Sequence, residues 1–166
     1  MTLLPAAHEP FTAPTILEVS EIATAVVRFR GITMASLSSV YDRAFGALRQ
    51  AIAEGAITPN GAPFGRYLGD PQGEFDLEVG FPVEGMPTTY TAGDLTVTTG
   101  SIPAARTAVL SAVGPFDRLP SAWTALADFA ASQGQSRGDW TEVYVSDPSS
   151  TSAEQLRTDL MMPLRS

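Results

Sequence analysis

The spacing of apolar residues divides the chain into two similar runs of elements. From Thr15 to Thr33 the sequence is rich in Val, Ile, Thr and Ala. Its strongest strand signal is Ala23-Thr24-Ala25-Val26-Val27-Arg28-Phe29, ended by Gly31. Between Ser36 and Glu54 the apolar positions Leu37, Val40, Tyr41, Ala44, Phe45, Leu48, Ala51 and Ile52 fall three and four apart. That spacing predicts an amphipathic helix with one buried stripe, and Gly55 is a natural cap for it. Two strands are predicted over 63–68 and 74–83, around the turn chemistry of Gly69-Asp70-Pro71-Gln72-Gly73. In the second strand Phe75, Leu77, Val79, Phe81 and Val83 alternate with Asp76, Glu78, Gly80 and Pro82, which makes one face apolar.

The same order then recurs. A strand region over 95–114 centres on Thr107-Ala108-Val109-Leu110. A helix over 119–131 carries Leu119, Ala122, Trp123, Leu126, Phe129 and Ala130 in its stripe. A strand over 139–145, a turn region over 146–152 and a strand or extended segment over 155–164 complete the run. Tyr67, Asp70 and Pro71 recur at one constant spacing as Tyr144, Asp147 and Pro148. Phe81-Pro82-Val83 recurs as Met162-Pro163-Leu164, and Gly31 as Gly114. The expected fold is therefore α+β: duplicated β-α-β-β modules with pseudo-two-fold symmetry, antiparallel sheets with helices on one side, and a central ligand groove. Residues 1–14, with Pro5, Pro10 and Pro14, are expected to form a flexible tail. Residues 15–166 are expected to form one domain of two repeats, about 15–84 and 94–166, joined by a linker near Gly85 to Gly93.

On the strand over 139–145, Trp140, Glu142 and Tyr144 share one face, and Thr141, Val143 and Val145 the other. This sets a carboxylate between two aromatics. The repeat makes Pro63, Gly65 and Tyr67 the equivalents of these three, which predicts an asymmetric groove, open over Gly65 and aromatic on the other side. Glu142 reads either as a solvated strand carboxylate or as the acid of a small-molecule pocket, and its two aromatic neighbours favour the pocket. Trp140, Tyr144 and Tyr67 would each add roughly 0.5–2 kcal/mol of cation–π attraction for a desolvated cation. The stripe residues Trp123, Phe129, Phe45 and Tyr41 read as core, with Trp123 also able to reach the groove edge. Phe81 and Met162 divide evenly between core and groove wall. The candidate ligand-binding residues are thus Glu142, Trp140, Tyr144, Tyr67, Gly65, Phe81, Trp123 and Met162. An enzyme built on the same parts would use Glu142 as general base on a water and a tyrosine hydroxyl, Tyr144 or Tyr67, as donor to the electrophile.

Composition narrows the partners. The chain has 166 residues, 44% of them hydrophobic, enough for one compact domain or two fused halves. Eighteen acids against ten basic residues give a formal charge of −8, which argues against direct nucleic-acid binding, because that affinity comes mainly from neutralising phosphates. Cysteine is absent, which excludes disulfides and thiolate chemistry. His8, the only histidine, lies in the tail. The carboxylates do not cluster, so no metal is expected, and Gly61 to Gly69 lacks the Lys and helix of a phosphate loop, so no cofactor is expected. Asp76, Glu78 and Asp159 read as a solvated strand face or as negative charge around the groove. No apolar run approaches the roughly 20 residues of a membrane helix. Met1 to Pro14 also lacks the basic start and apolar stretch of a signal peptide, so a cytoplasmic location away from membranes is expected.

Four stretches resemble the gyrase-inhibitor-like (GyrI-like) effector-binding domains, which also form the drug-sensing halves of some AraC-type and MerR-type regulators. They are Phe75 to Val83, Ile102 to Ala108, the Val113-Gly114-Pro115-Phe116-Asp117 turn before the helix with Trp123 and Leu126, and Trp140 to Tyr144 with Asp147-Pro148 and Leu156 to Leu160 leading to Pro163. The resemblance implies the duplicated fold, a central groove, and an acid at Glu142 that contacts cationic or polar aromatic ligands. It also leaves open a stand-alone binding protein, a hydrolase of reactive electrophiles such as cyclopropane-containing toxins, and a gyrase-type inhibitor acting on a partner protein. Regulators of this kind carry a separate DNA-binding segment, which is not expected in the fourteen residues before the module.

Overall fold

The computed structural model describes residues 9–69, 73–84, 89–147 and 149–165. His8 and most of the predicted tail, Asp70 to Gln72 of the first turn, residues 85–88 and Pro148 lie outside the described residues. The strands are β1 (Thr15–Val19), β2 (Ile22–Ile32), β3 (Phe64–Gly69), β4 (Phe75–Pro82), β5 (Tyr90–Ala92), β6 (Leu95–Ile102), β7 (Ala105–Val113), β8 (Asp139–Tyr144) and β9 (Arg157–Pro163). The helices are α1 (Leu37–Ala53), between β2 and β3, and α2 (Leu119–Gln133), between β7 and β8. Each helix is entered through a short 3-10 turn, at Met34–Ser36 and Phe116–Arg118. Gly55, with φ of 76°, closes α1: its N–H and that of Ala56 reach back to the Ile52 and Ala51 carbonyls.

All nine strands form one sheet in the order β1-β7-β9-β8-β3-β4-β2-β6-β5, and each neighbouring pair is antiparallel. The two β-α-β-β units meet at the β3–β8 pair, and the order outward from that pair is the same on both sides: β4 then β2, and β9 then β7. The strands that precede each unit are exchanged. β1 pairs with β7 of the second unit and β6 with β2 of the first. The predicted strand regions over 15–33 and 95–114 are thus two strands each, and the predicted linker ends in β5, which forms a hairpin with β6.

Chain length forces the sheet to curl. Only Ser20 and Glu21 join β1 to β2, and only Pro103 and Ala104 join β6 to β7. Three Cα steps reach roughly 11 Å. In a flat sheet these strands would stand six spacings apart, roughly 28 Å. The two ends of the sheet therefore approach each other on the face away from the helices. There Val19, Ile22, Val26, Phe64, Ile102, Val109, Val143 and Met161 form one buried cluster, with Phe11 packed against it. Phe11 is also tied to β7 through Ser111, so the last part of the predicted tail is ordered against the sheet.

The same inner face carries charge. Arg28 pairs with Glu78 at 2.8 Å, Arg66 with Glu78 at 3.2 Å and with Asp139 at 3.0 Å, and Arg137 with Asp139 at 2.7 Å. Asp159, fully buried, accepts from Ser111 and pairs with Arg157. The outer face has two apolar halves. α1 covers Ala25, Val27, Leu77 and Val79, and α2 covers Ala108, Leu110, Leu160 and Met162.

Candidate ligand site

Directly opposed residues share a face of a sheet. The registers line up Val27, Val79, Gly65, Glu142, Leu160 and Leu110 in one row across six strands, on the face that bears the helices. The outer members lie under α1 and α2. The central pair, Gly65 and Glu142, falls at the junction of the two units. The alternation along β8 brings Trp140 and Tyr144 to the same face as Glu142.

Glu142 is 9% exposed. Its Oε1 accepts from the Tyr144 hydroxyl at 2.7 Å and from the Tyr67 hydroxyl at 3.3 Å, and its Oε2 accepts from the Trp123 indole N–H at 2.8 Å. Tyr41 closes the network, with its hydroxyl oxygen 2.9 Å from that of Tyr67 and 2.8 Å from that of Tyr144. Each hydroxyl has one proton. With those of Tyr67 and Tyr144 directed at the carboxylate, the Tyr41 proton is left to serve one of the two tyrosine oxygens beside it. Tyr41 and Trp123 occupy corresponding places, each four residues after the first residue of its helix, Leu37 or Leu119. On the first unit Tyr41 lies over Gly65, and on the second Trp123 bonds Glu142.

The hydroxyls are donors because they stay protonated. Burial raises the Tyr41 hydroxyl well above the ordinary tyrosine range, and the Glu142 charge adds to it. Burial does the same to Tyr67 and Tyr144, reinforced in each by Tyr41 and Glu142. The network is packed as well as bonded: Tyr144 meets Tyr41 edge-on at 5.8 Å and Tyr41 stacks on Phe45 at 5.9 Å.

A cavity of about 680 Å³ opens over these residues. Tyr41, Phe45, Tyr67, Phe81, Phe116 and Tyr144 supply its aromatic lining, and Glu142 its buried carboxylate. Asp42, Asp147 and Arg49 are its exposed charged residues. The Ser149 hydroxyl and backbone N–H hold the Asp147 carboxyl below the usual range, so it is an anion.

The candidates named from sequence separate into three groups. Glu142, Tyr144, Tyr67 and Phe81 line the cavity. Trp123 reaches the site through its bond to Glu142, and Trp140 stands behind it, 6.2 Å from Trp123 and 6.4 Å from Tyr67 between ring centres. Gly65 and Met162 are not in the lining, and for Met162 the core alternative is the one the structure has. The space over Gly65, expected to be open groove, is filled by Tyr41, and Met162 packs beneath α2 with Ala108, Leu110 and Leu126. Tyr41 and Phe45, expected as core, are cavity lining, as are Phe116, Leu119 and Arg49, which are not among the ligand-binding candidates from sequence. Helical spacing gives core and cavity-lining residues the same stripe. A signal for Tyr41 existed in Gly65, whose missing side chain makes room for it. Asp76, Glu78 and Asp159 are not in the lining: Asp76 accepts from the Gly31 N–H, and the other two are paired on or near the inner face. Among the described residues, no group of three or more His, Cys, Asp or Glu is placed to hold a metal ion, and no helix is long and apolar enough to cross a membrane.

Comparison with curated protein sequences gives no significant match. Solved structures do match. The EcmrR C-terminal domain has 16% identity and a TM-score of 0.70, with 92% of this chain and 96% of that one covered. SAV2435 bound to tetraphenylphosphonium has 9% identity and a TM-score of 0.68, over 93% of this chain and 94% of that one. A hydrolase from Listeria innocua has 15% identity and a TM-score of 0.56, over 94% and 93%. At these identities the likeness is one of fold. The sequence profile of the GyrI-like small molecule binding domain matches residues 12–165, nearly the whole chain, and the protein belongs to that family.

Proposed function

We propose that this protein binds lipophilic, aromatic cations in the cavity between α1 and α2, with Glu142 as the charge that selects them. One observation carries the reading. Four carboxylates are buried among the described residues: Glu78, Asp139, Glu142 and Asp159. Three of them pair with arginine, and Glu142 is held by neutral donors alone. A buried anion without a countercharge is costly, and a ligand cation supplies the missing partner. The aromatic lining suits the same ligands, since ring faces attract cations at low water content. Asp42 and Asp147 add long-range attraction. The structurally similar protein bound to tetraphenylphosphonium supports this choice of probe.

Hydrolysis would ask Glu142 to take a proton from water while it already accepts three hydrogen bonds. That arrangement suits holding a charge better than moving a proton. The test is a titration of the protein with tetraphenylphosphonium, read by tryptophan fluorescence and calorimetry. Saturable binding is expected, weakened by roughly tenfold or more in Glu142→Gln, equal to ~1.4 kcal/mol or more. Equal affinity in the two proteins would remove the carboxylate from ligand selection.

A further inference from the structure

Resting on that reading of the cavity, we propose that its preferred ligands are bipolar: a lipophilic cation that also carries a carboxylate or similar monoanion, the anion being held by Arg49. Leu37, Tyr41, Phe45 and Arg49 recur every four residues and all line the cavity, so one stripe of α1 forms its wall. Arg49 stands eight residues beyond Tyr41, roughly 12 Å along the helix axis. The cavity therefore has a buried negative pole at Glu142, in the network that Tyr41 closes, and a positive one at Arg49 further along α1, with Phe45 between Tyr41 and Arg49 in sequence.

Arg49 is available for such a contact. Arg28, Arg43, Arg66, Arg118 and Arg137 each pair with a carboxylate, whereas Arg49 has no hydrogen-bond or ion-pair partner among the described residues. Asp42, the acid on the same helix that lines the cavity, is seven residues away, roughly 10 Å along the axis. A guanidinium beside an otherwise acidic cavity opposes a plain cation and favours one with an anionic arm. Its planar fork also matches a carboxylate in two hydrogen bonds.

The experiment compares carboxypentyl-triphenylphosphonium with its ethyl ester, which has the same cation and no anion. Both are titrated into the full chain near neutral pH, with tetraphenylphosphonium alongside. The free acid is expected to bind about three- to tenfold more tightly than the ester, the range for a partly exposed charge-assisted contact. Arg49→Gln should bring the acid-to-ester ratio to near one, and Arg49→Glu should invert it. Circular dichroism confirms that the variants, altered at an exposed helix position, remain folded. A wild-type ratio of one, or a ratio that survives in Arg49→Gln, overturns the bipolar assignment while leaving the cation site standing. Failure of all three compounds to bind overturns the cation site and the bipolar assignment together.

Discussion

The Tyr41 hydroxyl occupies the space that a side chain on residue 65 would need. A Cβ built on Gly65 overlaps the Tyr41 oxygen and lies 2.8 Å from Tyr41 Cζ. Gly65 and Glu142 face each other across the β3–β8 pair, so the absence of one side chain admits the ring that braces the partners of the other. Gly65→Ala is therefore expected to cost about 1–3 kcal/mol, as overpacking does, and to weaken tetraphenylphosphonium binding by displacing Tyr41. In a Tyr41→Phe background the closest clash is gone, and the same substitution should cost less. Denaturant unfolding of the two single variants and the double variant measures the coupling, and strict additivity would show that the two positions do not share this space.

Fluorescence should assign the ligand response to one tryptophan. Trp123 donates to Glu142, whereas Trp140 lies behind it against Tyr67. A cation drawing on the Glu142 charge alters the field at the Trp123 indole directly. Quenching by tetraphenylphosphonium is expected to persist in Trp140→Phe and to fall by more than half in Trp123→Phe, relative to the wild-type change. Calorimetry on both variants separates loss of signal from loss of binding.

Much of the architecture was legible because periodicity is a local property. The helical spacing from Leu37 to Ile52 and the alternation from Phe75 to Val83 located α1 and β4 to within a few residues. The exchange of β1 and β6 was not legible, because it depends on which strand edges meet in space, and no pattern within Thr15–Val19 records β7 as its neighbour. The acid, Tyr144 and Tyr67 stood out on one strand and its repeat, and Trp123 as a helix residue able to reach the groove edge. Tyr41 did not, since a helix stripe looks the same whether it faces packed side chains or a cavity. Glu78 shows the reverse problem. Its alternation suggested water, but Arg28 and Arg66, on different strands, supply a buried partnership that strand alternation cannot reveal.

The tyrosine network should leave a mark on alkaline titration. Tyr41, Tyr67 and Tyr144 are three of the four tyrosines, and burial raises all three hydroxyls. A raised folded-state value means that this stability is fully present below the unfolded tyrosine value of about 10 and is lost as pH rises beyond it. Phenolate absorbance from these three residues should therefore appear together with the loss of far-ultraviolet dichroism. Three phenolates forming while the dichroism is unchanged would contradict the network.

The inner-face ion pairs predict the acid limb of stability. Asp139 is 4% exposed and lies between Arg66 and Arg137. Burial by itself would raise its carboxyl, but the hydrogen bonds from Arg137 and the charges of Arg66 and Arg137 overcome this and hold it below the ordinary value. A depressed folded-state value contributes stability that is present above the unfolded aspartate value of about 3.9 and is lost as pH falls through the folded one. Wild-type stability should thus decline as pH drops below about 4. Asp139→Asn keeps the shape and removes the charge, leaving Arg66 inside the sheet with Glu78 as its remaining carboxylate. Breaking such a pair costs about 3–5 kcal/mol at neutral pH. The variant should be less stable than wild type at pH 7 and closer to it as the solution is acidified, because its missing carboxylate can no longer be titrated. Urea unfolding of both proteins from neutral to acid pH reads the two curves. A constant gap between them would mean that Asp139 is not the group that ties this fold to pH.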